Sequence, residues 1–238
     1  MRKRIEPPVC VALDARDLAG AMAVVEGLGS SVSVFKVGLE LFAAQGPRVV
    51  EEILSRGAEV FLDLKVNDIP NQAAGAVRAA RDIGVGYLTV HGNAGRASVE
   101  AAVEAAEGGS PKILVVSVLT SLDEPALKET GVSRPVSAQV QAMADLAVDT
   151  GAPGLVLSAK EVGAVREEHD DLFLVTPGIR PAASEAGDQK RVGTPSAAVA
   201  AGADLLVIGR PITAAADPAA ALRAILDEIA QATTKAST

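Results

Sequence analysis

The chain has 238 residues, 49% of them hydrophobic and 22% charged, which is ample material for a large core and gives no reason to expect disorder beyond the tails. A formal charge of −8 and only 2% aromatic residues exclude a nucleic-acid surface, which needs a basic face and usually stacking rings. No stretch approaches the roughly 20 apolar residues of a membrane span, and the single cysteine, Cys10, excludes an internal disulfide.

Met1-Arg-Lys-Arg4 looks like the basic start of an export signal, but the apolar stretch that follows is short and runs straight into Asp14, so a cytoplasmic protein is expected. That stretch, 9–13, is the first predicted strand, with Cys10 as a buried, inert thiol. A helix at 18–28 and a strand at 32–37 follow. A helix at 47–55 then leads to a strand at 60–64, a helix at 72–83 and a strand at 87–91. Helix 97–106, strand 113–119, helix 137–150 and strand 154–157 continue the pattern. The chain closes with helix 160–168, strand 172–176, helix 195–200, strand 205–208 and helix 218–230, leaving a frayed tail. Gly57, Gly84, Gly108, Gly151 and Gly202 end several of these helices.

Strand and helix alternate eight times, which implies parallel strands joined by crossovers. A doubly wound open sheet shares this alternation, but polar and glycine-rich residues follow most of the strands. In a closed (β/α)8 barrel those strand ends ring one mouth, whereas an open sheet spreads them along a line. The expected fold is a single-domain (β/α)8 TIM barrel over residues 1–238, with a core of Val, Leu, Ile and Ala.

Phe61-Leu-Asp-Leu-Lys-Val-Asn-Asp-Ile-Pro-Asn71 carries the densest chemistry. Side chains alternate along a strand, so Asp63 and Lys65 share one face while Leu62, Leu64 and Val66 share the other. Asp68 follows just past the strand end. Opposite charges on an inward face are costly to bury unless they pair with each other or with a ligand, and such groups often mark function. The plainer reading is a charged pair that only plugs the barrel. Asp63 and Asp68 are of the residue type that binds hard cations, but Lys65 between them already supplies the local positive charge, so no metal is expected.

Pro177-Gly-Ile-Arg180 and Gly209-Arg210 follow strands seven and eight, where barrels most often bind phosphate. A phosphorylated substrate is implied. There is no G-x-G-x-x-G or Walker sequence, so neither a nicotinamide cofactor nor a nucleotide triphosphate is indicated. His169 lies in the charged run Glu167-Glu-His-Asp-Asp171 and reads as solvated surface. His91 ends the fourth strand, within reach of catalytic neighbours but without a second His or Cys for zinc.

Taken together, Ala12-Leu-Asp14, Phe35-Lys-Val-Gly38, Asp63-x-Lys65-x-x-Asp68-Ile-Pro-Asn71, Leu119-Thr-Ser121, Thr176-Pro-Gly-Ile-Arg180, Asp188-Gln189 and Gly209-Arg210 give a chain that resembles the orotidine 5′-phosphate decarboxylase family over nearly its whole length. The Asp-x-Lys-x-x-Asp motif alone is shared with related sugar-phosphate enzymes. The resemblance implies decarboxylation of orotidine 5′-monophosphate to UMP, in pyrimidine synthesis, without metal or cofactor. It also implies that Lys36, Asp63, Lys65 and Asp68 form an alternating charged network with Lys65 as proton donor to C6. Asp14 and Lys36 would hold the ribose hydroxyls, Thr120 would lie near the pyrimidine and Gln189 would bridge base and phosphate. Arg210, the Gly209 backbone and Arg180 would clamp the phosphate.

The resemblance further implies a homodimer in which Asp68 and the residues just after it, beginning with Ile69, enter the neighbour's site. One departure is visible: a threonine that usually reaches the partner's ribose is replaced here by Gln72, whose amide still offers a donor and an acceptor. Two alternatives remain open from the residues alone. One is a magnesium-dependent sugar-phosphate lyase or decarboxylase on the same barrel, which the Ile69-Pro70 after Asp68 disfavours. The other is a phosphate-binding barrel without catalysis, in which the retained charges would be a stability liability.

Overall fold

The computed structural model describes residues 6–181, 191 and 193–236, and in it eight parallel strands close a barrel in sequential order. They are β1 Val9–Leu13, β2 Val34–Gly38, β3 Glu59–Val66, β4 Tyr87–His91, β5 Lys112–Val116, β6 Gly154–Val156, β7 Phe173–Thr176 and β8 Leu205–Ile208. Pairing of β8 with β1, Val9 against Leu206, shuts the ring. The helices are α1 Leu18–Leu28, α2 Leu39–Gln45, α3 Pro47–Leu54, α4 Pro70–Ile83, α5 Arg96–Ala105 and α6 Glu124–Glu129, followed by α7 Val136–Asp149, α8 Val162–Glu168, α9 Pro195–Ala200, α10 Arg210–Thr213 and α11 Pro218–Ala236.

The two-residue period of the strands sorts their side chains into two cores. Val9, Val11 and Leu13 of β1 point outward into the layer between sheet and helices, while Cys10 and Ala12 point inward. Inside, three of the few aromatic rings fill the barrel's N-terminal half. Phe61 meets Tyr87 edge-on at 6.1 Å between centroids, Tyr87 stacks on Phe173 at 6.0 Å, and the Lys112 ammonium lies 5.1 Å from the Tyr87 ring. Cys10 is sealed in this layer, and burial pushes its thiol pKa far above the ordinary value. With that half filled, open space is left at the C-terminal mouth.

Three short helices were not expected from the sequence. In α2, Leu39-Glu-Leu-Phe-Ala-Ala-Gln45 is cut from α3 by Gly46 at φ +61 and Pro47 at the first helical position, so two helices stand where one was read. Asp123 starts α6 by accepting a hydrogen bond from the Ala126 amide, and α10 opens directly after Gly209. The apolar run expected as a strand to Leu119 leaves the sheet after Val116, because Val118 and Leu119 line the mouth instead of pairing. The third strand runs to Val66, two residues further than expected, and α11 continues to Ala236 instead of ending at 230.

Candidate active site

Strands β2, β3 and β4 build one side of the mouth. Lys36 and Asp63 sit on neighbouring strands, and their charged ends meet with Lys36 Nζ 3.5 Å from Asp63 Oδ2. Lys65 Nζ lies 2.8 Å from the same oxygen. Two ammonium groups therefore share one oxygen of a buried carboxylate. Gly38 makes room for this, since a Cβ there would stand 3.0 Å from Lys36 Nζ. Burial alone would raise the Asp63 pKa, but Lys36, then Lys65 and the hydrogen bonds from Lys65 and Thr89, outweigh it and hold the carboxyl below its ordinary range.

Simple alternation does not deliver Lys65. The β3–β4 register runs Phe61 to Tyr87 and Leu62 to Leu88, then jumps to Val66 opposite Val90. Lys65 has φ +50, the one positive value at a non-glycine among the described residues. That left-handed conformation costs roughly 1–2 kcal/mol for a residue with a Cβ. It is held by the Lys65 amide donating to Thr89 Oγ1 at 2.8 Å. His91, at the end of β4, accepts from the Asn93 amide through Nδ1, and burial together with the nearby Lys65 charge lowers its pKa.

These side chains line a cavity of about 260 Å³. Asp14, Lys36, Asp63, Lys65, Thr120, Arg180, Gly209 and Arg210 all face it, with Val116, Val118, Val156 and Val207 as apolar wall. Gly209 is packed against Asp14: an added Cβ would stand 2.7 Å from Asp14 Oδ2. Arg180 is fixed by its backbone, its amide donating to the Gly193 carbonyl at 2.9 Å. Its Nε is buried with no hydrogen-bond partner among the described residues.

Asp68, Ile69 and Gln72 do not join them. All three are exposed and none lines the cavity of its own chain; Ile69 is 64% exposed. Asp68 Oδ1 accepts from the Ile69 amide, and Ser98 Oγ donates to the Asp68 carbonyl, so the turn into α4 is pinned with the Asp68 side chain outward. The charged network within one chain thus comprises Lys36, Asp63 and Lys65. Gln189 lies outside the described residues.

Two residues here escaped sequence reasoning. Thr89 shows only as a polar residue inside the apolar strand Tyr87–His91. Arg191 is 6% exposed; its Nη1 donates to Glu161 at 3.0 Å and its Nη2 to the carbonyls of Val118 and Leu119 at 2.8 and 3.2 Å. It straps the chain after β7 to the wall that carries Thr120, and nothing in a run of Gln-Lys-Arg announces that burial. His169 is also misread as solvated surface: its Nε2 is 3.0 Å from Asp145 Oδ1, and its side chain is mostly covered against α7.

Among the described residues no cluster of three or more His, Cys, Asp or Glu side chains is arranged to hold a metal. The sequence model of the Orotidine 5′-phosphate decarboxylase / HUMPS family matches residues 7–225. A protein of Halorhodospira halophila named orotidine 5′-phosphate decarboxylase is 50% identical over 95% of this chain and 97% of its own. One of the same name from Thermobifida fusca is 50% identical over 93% of this chain and 95% of its own. Among solved structures, orotidine 5′-phosphate decarboxylase from Lactobacillus acidophilus superposes with a TM-score of 0.83 at 36% identity, covering 95% of this chain and 99% of that one.

Proposed function

From the premise that this chain belongs to the orotidine 5′-phosphate decarboxylase family, whose enzymes are carboxy-lyases, we propose that the cavity decarboxylates orotidine 5′-monophosphate to UMP with its own side chains alone. The observation that carries this reading is the Lys65 ammonium held 2.8 Å from Asp63 at one side of a cavity whose other side presents Arg180 and Arg210. Loss of CO₂ breaks the bond between C6 and the carboxylate and leaves the electron pair on C6, in the ring plane, where the π system cannot absorb it. A fixed ammonium aimed at C6 stabilises that charge and then donates its proton, and the resulting amine is reprotonated from solvent.

Lys36, Asp63 and Lys65 sum to one positive charge within the chain, which suits a developing carbanion. Repulsion between Asp63 and the substrate carboxylate would supply only about 4 kcal/mol at 4 Å and an effective dielectric of 20. Difficult reactions require up to ~23 kcal/mol, so electrostatic stabilisation and binding energy from the remote phosphate carry the larger share. The phosphate falls to Arg210, the Gly209 backbone and Arg180, the ribose hydroxyls to Asp14 and Lys36, and the pyrimidine to Thr120, with Gln189 bridging base and phosphate.

A homodimer completes the proposal. Asp68, Ile69 and Gln72 are exposed beside the mouth, where they are available to a second copy, and Asp68 of one chain would extend the Lys36–Asp63–Lys65 network of the other. Residues 1–238 would act as one catalytic barrel in the cytoplasm, with no nucleic-acid or membrane partner; among the described residues no helix is long and apolar enough to cross a membrane. The test is turnover of orotidine 5′-monophosphate by purified protein after exhaustive chelation. Undiminished formation of UMP supports the reading, whereas turnover that disappears with chelator and returns with magnesium favours a metal-dependent lyase.

A further inference from the structure

Thr89 lies at a junction that the residue roles proposed above leave unassigned. It is 0% exposed, on an inward-facing position of β4 between the Tyr87 ring layer and His91. A regular β3–β4 ladder would set Asp63 opposite Thr89, after Phe61 against Tyr87 and Leu62 against Leu88. Instead the register resumes only at Val66 and Val90, so Asp63, Leu64 and Lys65 together face the single residue Thr89. The Lys65 amide, which a regular strand would present to a backbone carbonyl, donates to the Thr89 hydroxyl at 2.8 Å. Since the amide can only donate, the hydroxyl must accept there, and its own proton is free to go to Asp63 Oδ1 at 3.0 Å.

We propose that Thr89 is a positioning residue for the decarboxylation, one hydroxyl that fixes both the strained backbone of Lys65 and the orientation of the Asp63 carboxylate. Its bond to Oδ1 turns the other oxygen, Oδ2, toward both ammonium groups, Lys65 Nζ at 2.8 Å and Lys36 Nζ at 3.5 Å. Its bond to the Lys65 amide holds the residue at φ +50, and thereby sets where the side chain leaves the strand. Thr89 does not line the cavity, so it acts through Asp63 and Lys65 and not on substrate. The inference rests on Lys65 and Asp63 being the reacting pair.

The experiment compares Thr89→Val, which keeps the shape and loses the hydroxyl, with Thr89→Ser, which keeps the hydroxyl and loses a methyl. Leaving a buried amide and a carboxylate oxygen without their partner should lower kcat for orotidine 5′-monophosphate roughly 10- to 100-fold in Thr89→Val, with KM changed less than about threefold. Thr89→Ser should keep kcat within about threefold, although the lost methyl lowers its melting temperature. Wild-type kcat in Thr89→Val, a loss that falls on KM, or a Thr89→Ser enzyme as slow as Thr89→Val would each overturn the proposal. If Thr89→Val does not fold, Thr89→Ala gives the same reading, and a kcat loss beyond about tenfold in Thr89→Ser counts against the proposal by itself. Lys65→Ala run alongside separates the two layers of argument: an active Lys65→Ala enzyme removes the reacting pair, whereas an inactive one beside a fully active Thr89→Val enzyme removes only Thr89.

Discussion

The two sides of the mouth carry their cations on different elements, strands on one side and the turns after strands on the other. On the β2–β4 side, Lys36 and Lys65 are strand residues locked to one buried carboxylate at 3.5 and 2.8 Å, with Thr89 behind it. On the β7–β8 side, Arg180 and Arg210 sit just beyond the strands: the Arg180 amide donates to the Gly193 carbonyl, and Arg210 opens α10 directly after Gly209. Charges that must meet a reacting atom within a few tenths of an ångström belong on rigid elements with interlocked partners. A phosphate, by contrast, is a large anion that barrels commonly meet from the turns after strands seven and eight. The difference suits the first side to the proposed chemistry and the second to the proposed phosphate binding.

The largest effect expected from breaking this division concerns Asp68, which neither side contains within one chain. Lys65→Ala and Asp68→Ala homodimers should each lose at least about a thousandfold in turnover. When equal amounts are dissociated, mixed and reassociated, about half the dimers are mixed and each has one intact site, so activity should return to about a quarter of wild type. No recovery, despite mixed dimers proven by mass spectrometry, would mean that Asp68 serves its own chain.

Arg210→Ala probes the binding side. It should weaken UMP roughly 10- to 150-fold while leaving the affinity for uridine nearly unchanged, as measured by calorimetry, because a hydrogen bond to a charged group contributes about 1.5–3 kcal/mol. Equal losses for both ligands would move Arg210 from phosphate recognition to support of the fold.

The smallest effect is a pH dependence of stability on the chemical side. The folded-state pKa of Asp63 is lowered, so its ion pairs contribute stability in full above the unfolded value of about 3.9 and lose it as pH falls toward and through the folded value. The melting-temperature gap between wild type and Asp63→Asn should therefore be constant from neutral pH to about pH 5 and shrink below about pH 4. A gap that widens in acid would show that Asp63 is not held ionised by Lys36 and Lys65.

The same division explains what the sequence disclosed. Strand order, barrel closure and the mouth followed from alternation and from polar residues placed after strands, and Asp63, Lys65, Gly209 and Arg210 were legible because their charge or flexibility stands out against apolar runs. The geometry of Lys65 was not legible, since strand alternation already put it beside Asp63 and gave no sign of the register jump that sets it at φ +50. Thr89 and Arg191 were hidden for a related reason. Each matters through a partner 26 or 30 residues away, Asp63 or Glu161, and a residue pattern read along the chain carries no record of that contact.

In the proposed reaction Lys65 performs the chemistry and is not needed to hold the ligand. That role is tested most directly by measuring Lys65→Ala twice, for turnover of orotidine 5′-monophosphate and for UMP affinity by calorimetry. Turnover should fall by at least about a thousandfold, with UMP affinity within roughly tenfold of wild type. Turnover within tenfold of wild type, or a loss of affinity that accounts for the whole effect, would contradict that role.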